Sequence, residues 1–504
     1  RPSGEWTWSE LERATAQLRA VLAERGVGEG DRVAAYLPNI PETIAAFLAC
    51  ASLGAIWSSA APEFGAQAVI DRFSQLEPTV LLAVDGYRYG GKTFDRTAEV
   101  DAIHAAVGGE LLRFGYLDGT GWSDELPQDP PPLTFADTAF DAPLWILFSS
   151  GTTGLPKPIV QGHGGILLEQ LKHGHLHLDA RPGDRVFWFT TTGWMMWNFL
   201  VGVLHTGAAI VLFDGDPAGD VLWNLAERTQ TTIFGTSAAY LTTAMRSGIH
   251  PTQARDLAIR AVGSTGSPLP PEAFRWVIDE FGSGTWLFST SGGTDVCTAF
   301  VGGVPTLPVY AGELQAPALG AKVESWSPEG EPLVGEVGEL VITLPLPSMP
   351  LYFWGDDDGA RLTESYFATY PGIWRHGDWI ELTDRGSAII WGRSDATINR
   401  GGVRMGTSEI YRAVLAVPEI QDALVVDVPL DPVASTMWLF VVTAGGDVGE
   451  VDDDLRQRLA RQIREQCSPR HVPNRVTAVP EIPRTLSGKV VEVPVKRILM
   501  GADP

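Results

Sequence analysis

The run Ser149-Ser150-Gly151-Thr152-Thr153-Gly154 crowds hydroxyls and glycines together, and Lys157 follows after Leu155-Pro156. Glycines let a backbone turn until several N–H groups face one anion, while hydroxyls add donors and a lysine adds charge. That combination suits the phosphates of a nucleotide. The Walker spacing, in which Gly-Lys-Ser/Thr opens a helix, is absent, so a P-loop ATPase is disfavoured. Taken alone, the cluster more often marks a polar surface loop, and its meaning depends on what else the chain carries. Ser289-Thr290-Ser291-Gly292-Gly293-Thr294-Asp295 ends in a hydroxyl and a hard carboxylate, the oxygen chemistry that ligates Mg2+. Trp374-Arg375-His376-Gly377-Asp378 offers a carboxylate able to accept from two neighbouring hydroxyls, although an Asp capping a turn reads the same. Lys489 closes Pro483-Arg484-Thr485-Leu486-Ser487-Gly488, and a lone lysine near a C-terminus is ordinarily a solvated charge.

In this order the segments resemble the motifs of the adenylate-forming enzymes: acyl-CoA synthetases, luciferases and peptide-synthetase adenylation domains. Gly392-Arg393-Ser394-Asp395 and Gly402-Val403-Arg404-Met405-Gly406 are similar to that family's Gly-Arg-x-Asp and Gly-x-Arg-x-Gly elements, so the resemblance runs the length of the chain. It implies that Ser149 to Gly154 and Lys157 cradle the phosphates of ATP. By the same resemblance adenine rests on Gly266, Ser267 and Pro268, and AMP lies along Ser289, Thr290, Ser291, Gly292, Gly293 and Thr294. Asp295, where the family usually has the longer Glu, is implied to bind Mg2+. Asp378 and Arg393 are implied to hold the ribose and Arg404 to approach the phosphate. Asp395 becomes a hinge, and Lys489 neutralises charge on the α-phosphate and the incoming carboxylate before withdrawing.

The acceptor and the acid are read the same way. Arg88-Tyr89-Gly90-Gly91-Lys92 resembles the basic turn that holds the nucleotide end of CoA, and Gly401, Gly402 and Arg464 are implied to contact CoA as well. An exposed Arg/Lys pair, or a helix arginine, is equally an ordinary surface charge. Thr190-Thr191-Thr192-Gly193-Trp194-Met195-Met196-Trp197-Asn198 resembles the segment lining the acyl site, with Trp194, Met195, Met196, Thr265 and Gly292 as its pocket. Trp and Met clusters usually mean core, and that alternative stays open for Trp197. The resemblance places Gly292 where acetyl-CoA synthetases close the pocket with a tryptophan, so an acid larger than acetate is expected. The Ser-Gly-Gly-Thr-Asp sequence, the Trp-Met-Met-Trp-Asn segment and Val490-Val491-Glu492-Val493-Pro494-Val495 together resemble the acetoacetate-activating members. The implied reaction turns acetoacetate, ATP and CoA into acetoacetyl-CoA, AMP and pyrophosphate. A CoA ligase for another short or medium-chain acid, or a non-catalytic nucleotide-sensing relative, remains as an alternative.

These residues need elements to position them. At 504 residues the chain exceeds one compact core, and two domains are expected: a large AMP-binding domain, 1–394, and a small one, 395–504. Amphipathic helices alternate with short apolar strands up to about Val262, which predicts α/β layers. Residues 317–343 shorten into strands split by Gly and Pro, predicting a small β-rich subdomain, and residues 395–504 read as an α+β unit that rotates. Residues 43–61 and 198–213 carry a helix, a glycine stop (Gly54, Gly207) and a buried strand, rather than a membrane span. Ser9-Glu10-Leu11-Glu12 matches a capping box. A net charge of −24 argues against nucleic-acid and anionic-membrane partners. Cys50, Cys297 and Cys467 make no disulfide or metal framework, and a cytoplasmic location is expected.

Overall fold

The computed structural model describes residues 4–122, 126–149, 155–394, 398–400, 403–405, 407–429, 435–466, 471–484 and 490–501. Two sheets carry the α/β part. In the first, Ile56–Ala60, Arg32–Tyr36, Val80–Val84 and Glu110–Phe114 run parallel, and an antiparallel pair, Pro143–Ser149 and Lys157–Gly162, extends the edge. Every residue of Val80–Val84 is buried, as expected of a parallel strand covered on both faces. The second sheet is wholly parallel, in the order Ala209–Val211, Arg185–Trp188, Ile233–Ser237, Ala261–Thr265, Trp286–Ser289.

Both glycine stops occur as expected. Gly54 (φ 69°) separates the helix Pro41–Ser52 from Ile56–Ala60, and Gly207 (φ 78°) precedes Ala209–Val211. The first helix, Trp8–Glu24, differs from expectation at its start. The capping box is Thr7 with Glu10: the Thr7 hydroxyl accepts from Glu10 N at 3.2 Å, and Thr7 N donates to Glu10 Oε2 at 2.6 Å. Thr7 is the residue in extended conformation, so Ser9 already lies inside the first turn.

The β-rich part is antiparallel: Val323–Trp326, Val337–Ile342, Trp374–Leu382 and Ala388–Arg393 pair in that order. Beyond it, the helices Thr407–Leu415 and Asp453–Gln466 pack on the strands Ile420–Pro429, Ser435–Thr443 and Arg475–Ala478 around a separate core that includes Ile410, Val425, Leu439 and Leu459. Arg246, at the end of the helix Ala238–Arg246, donates to Gln421 O at 2.7 Å and Leu415 O at 3.2 Å across the two parts. No helix among the described residues is long and apolar enough to cross a membrane.

Trp197 belongs to the core. It is fully buried and stacks on Trp57 at 6.3 Å, with Phe47 5.9 Å away edge-on. This aromatic knot fastens the helix Met195–Gly202, and with it the Trp194-Met195-Met196 segment, to the first sheet.

Candidate active site

A cavity of about 1420 Å3 opens between the two parts of the chain. Its walls bring together Ser149, Lys157, Thr265, Gly266–Pro268, 289–295, Asp378 and Trp194 to Met196, which lie far apart in sequence. On the strand Lys157–Gly162 side chains alternate, so Lys157 and Gln161 share a face. That face fixes the acidic end of the 289–295 segment. Gln161, held by Trp145 Nε1 at 2.7 Å, donates to Thr294 O at 3.1 Å and Asp295 O at 3.0 Å. Lys157 Nζ lies 3.1 Å from Asp295 Oδ1, and Ser149 Oγ 3.4 Å from the same oxygen.

Tyr366 completes this cluster and was not anticipated. Its hydroxyl donates to Asp295 and lies 3.2 Å from Lys157 Nζ, and its ring stacks on Trp374 at 3.7 Å. Burial alone would raise the Asp295 pKa, but Lys157, His376 and the Tyr366 hydroxyl outweigh it and hold the carboxyl at about 2. The carboxylate is therefore charged at any working pH. Because this folded value is depressed, its contribution to stability is present above the ordinary carboxylate range and lost as pH falls toward about 2.

Asp378 is buried on the strand Trp374–Leu382, in register with Arg393 of the next strand. His376 Nε2 lies 3.6 Å from Asp378 Oδ2, and its ring packs edge-on to Phe300 at 4.6 Å. A Cβ on Gly293 would come within 2.5 Å of His376 Cε1, so glycine is required there for the histidine to sit between Asp378 and the 289–295 segment. The motif's basic residue, Arg375, pairs with Glu339 at 3.1 Å and fixes the strand. Thr265 Oγ1 donates to Thr290 O at 2.9 Å, and Gly266 (φ 88°) turns the chain into the cavity wall.

One expectation is overturned. Gly292 does line the cavity, but it leaves no opening where an indole is missing. A Cβ there would lie 2.1 Å from Thr298 O and 2.8 Å from Ala299 Cα, both backbone of the adjoining strand Thr298–Gly302. The glycine serves the irregular pairing of Ser291–Gly293 with that strand. Gly292→Trp therefore cannot refill an acyl pocket, and even Gly292→Ala drives a methyl into backbone. Overpacking of this kind costs about 1–3 kcal/mol, and Gly292→Ala is expected to lower Tm by several degrees in a thermal melt. An unchanged Tm would contradict the close approach.

The apolar end of the cavity lies between Trp188, Trp194, Met196, Phe199 and Phe288. His173 adds a polar group to it. Burial, reinforced by Lys172 and His177, lowers its pKa to about 3, and its Nε2 pairs with Ala299 O at 3.0 Å, so the ring is neutral.

The CoA candidates are less gathered. Arg88 and Lys92 are exposed on the hairpin Gly86–Tyr89/Lys92–Asp95, whose turn is Gly90-Gly91, both at positive φ. Gly90 packs near Asp216, a residue of the cavity rim, and Arg88 donates to Leu117 O at 3.2 Å. Arg464 is exposed on the helix Asp453–Gln466 and is not among the described residues that line the cavity, so the structure does not bring it to the site. Arg404 lies on the short strand Val403–Met405, opposite Asn399. Ser150, Gly151, Thr152, Thr153, Gly154, Asp395, Gly401, Gly402 and Lys489 lie outside the described residues.

Comparison with known proteins now has a geometry to meet. Residues 2–353 match the AMP-binding enzyme family, and residues 409–489 match the AMP-binding enzyme C-terminal domain. The acetoacetyl-coenzyme A synthetase of Rhizobium meliloti is 44% identical over 511 residues, covering 98% of this chain and 78% of the relative. This chain belongs to the AMP-binding enzymes, among the acetoacetyl-CoA synthetases. The relative from Xenopus tropicalis is 39% identical over 521 residues, covering 99% of this chain and 77% of its own length. A solved structure of the Streptomyces lividans acetoacetyl-CoA synthetase superimposes with a TM-score of 0.92 at 53% identity, covering 99% of this chain and 78% of that one. In this AMP-binding enzyme, then, the cluster of Lys157, Asp295 and Tyr366 sits at the seam between the two matched regions.

Proposed function

We propose that the chain joins acetoacetate to CoA in two half-reactions. A carboxylate oxygen of acetoacetate attacks the α-phosphorus of ATP, forming the acyl–phosphate bond and releasing pyrophosphate. The CoA sulfur then attacks the acyl carbon, and AMP leaves. The observation that supports this most is one cavity holding a constantly charged Asp295, a buried Asp378 and an apolar end, in a chain related over its length to acetoacetyl-CoA synthetases.

Asp295 fits a Mg2+ shared with substrate phosphates. Among the described residues no three His, Cys, Asp or Glu side chains gather to hold a metal. Mg2+ ordinarily takes one or two carboxylates and completes its shell from phosphates and water. When bound, the ion neutralises charge on the departing pyrophosphate. Lys157 and Ser149, already beside Asp295, then face the same phosphates, Asp378 accepts from the ribose hydroxyls, and the turn at Gly266–Pro268 supports adenine.

In this reading residues 1–394 and 395–504 are two bodies pivoting at Asp395, which carry Lys489 into the site for the first half-reaction and CoA for the second. Arg393 and Arg404 serve the nucleotide, and Arg88, Gly90 and Lys92 the far end of CoA. The two described cysteines, Cys50 and Cys297, are free and buried, which accords with a cytoplasmic location. The test is acid-dependent exchange of pyrophosphate into ATP. Exchange that acetoacetate stimulates is expected, and none with acetoacetate would remove the first half-reaction.

A further inference from the structure

Beside the main cavity lies a second, of about 400 Å3, walled by Asn39, Glu63, Tyr87, Tyr89, Thr191 and Asp214. Phe189, Thr190, Thr191 and Pro217 line both, so the two share a wall. The segment carrying Glu63 is pressed against the acyl segment: a Cβ on Gly193, the residue before Trp194, would lie 2.8 Å from Phe64 Cζ and 3.4 Å from Ala61 N. Its backbone is held on either side of Glu63. The Tyr36 hydroxyl lies 2.6 Å from Pro62 O and 2.7 Å from Phe64 O, and Arg96 Nε donates to Pro62 O at 3.1 Å. Glu63 is therefore fixed one residue from the wall behind which the acyl group is expected.

Two acceptors here lack donors. Asn39 is 5% exposed and its Oδ1 has no hydrogen-bond partner among the described residues, and neither has Glu63 Oε2, also buried. A buried acceptor left unpaired costs about 1–3 kcal/mol, so a ligand bringing donors is favoured. CoA ends in such a ligand: a thiol S–H on an arm with amide N–H groups. The hairpin bearing Arg88 and Lys92 contributes Tyr87 and Tyr89 to the same cavity, which places it beneath the basic turn.

We propose that Glu63 is the proton acceptor for the CoA thiol, with Asn39 Oδ1 accepting from an amide N–H of the arm. This rests on the ligase reading above. The S–H bond breaks and its proton passes to Glu63 Oε2. The sulfur electron pair forms the C–S bond to the acyl carbon, and AMP departs with the electrons of the broken C–O bond. Glu63 returns the proton to water between turnovers. Burial raises the Glu63 carboxyl, its own N–H and Arg96 oppose this, Asp214 adds to it, and the outcome is a pKa of about 7. The groups facing it are Asp214 and Asp216 from the segment 213–217, Tyr87 and Tyr89 from the hairpin, Tyr36, and Arg96 with its partner Glu99.

The experiment measures each half-reaction of Glu63→Gln and Glu63→Asp in the full-length chain between pH 6 and pH 9. A free thiol is only about 3% ionised at pH 7. Glu63→Gln is therefore expected to slow thioester formation from supplied adenylate about 30-fold at pH 7, with the deficit closing toward pH 9, while pyrophosphate exchange is unchanged. Glu63→Asp should recover part of the rate and keep a limb that rises with pH near 7. A deficit equal at every pH, or no deficit at pH 7, overturns the proposal. If the wild type shows no acetoacetate-dependent exchange, the ligase reading itself falls, which is a separate result.

Discussion

Asp295→Asn is expected to slow adenylate formation by roughly 100- to 1000-fold, the scale of losing one preorganised electrostatic group at a reacting centre. The substitution keeps the size of the side chain and removes its charge. Lys157, 3.1 Å away, would then stand without its counter-ion, and the Tyr366 hydroxyl would lose its anionic acceptor. A Mg2+ ion would lose its only protein carboxylate among the described residues. The readout is acetoacetate-dependent pyrophosphate exchange over a range of Mg2+ concentrations. Partial recovery at high Mg2+ fits a lost ligand, and a rate within a few-fold of wild type contradicts the assignment. Thioester formation from supplied adenylate needs no pyrophosphate and should fall far less.

Lys489→Ala is expected to abolish adenylate formation while sparing the thioester step. The increasing charge at the α-phosphate needs a cation that arrives only with the C-terminal part, and a lysine suits this because its ammonium sits on a long flexible stem. The effect should exceed that of Asp295→Asn, since the lysine meets both the phosphate and the incoming carboxylate. Supplying synthetic acetoacetyl-AMP bypasses the step it serves. Equal loss of both half-reactions would contradict this division of labour.

Much of the site was legible because its chemistry is written in short runs. Ser149, Lys157, Asp295 and Asp378 could each be picked out from neighbours of unusual composition. Their pairing could not. Lys157 and Asp295 are 138 positions apart, and only the strand that carries both Lys157 and Gln161 brings them together. Tyr366 escaped notice for a simpler reason: a tyrosine in a short helix carries no pattern, and its role comes from stacking on Trp374. Glu63 was equally silent, since burial and Asp214, not sequence, shift its chemistry.

The failure at Gly292 is of another kind. Resemblance located the residue correctly in the cavity wall, but a position does not tell which way a Cβ would point, and here it points into Thr298 and Ala299. The alternation of helix and strand, by contrast, was readable almost throughout, because buried parallel strands such as Val80–Val84 are continuous apolar runs. Arg375 shows the limit again, since its motif survives while its side chain serves Glu339.

The choice of acid is the centre of the account, and a competition measures it most directly. Acetoacetate, butyrate, 3-hydroxybutyrate and isobutyrate, mixed at equal concentration with ATP, Mg2+, CoA and the enzyme, yield thioesters in the ratio of their kcat/KM values. A methylene in an apolar pocket discriminates by only about 1–3 kcal/mol, whereas a polar group with a matched partner discriminates far more. Acetoacetyl-CoA is the predicted major product. A mixture led by butyryl-CoA or isobutyryl-CoA would contradict the assignment of acetoacetate.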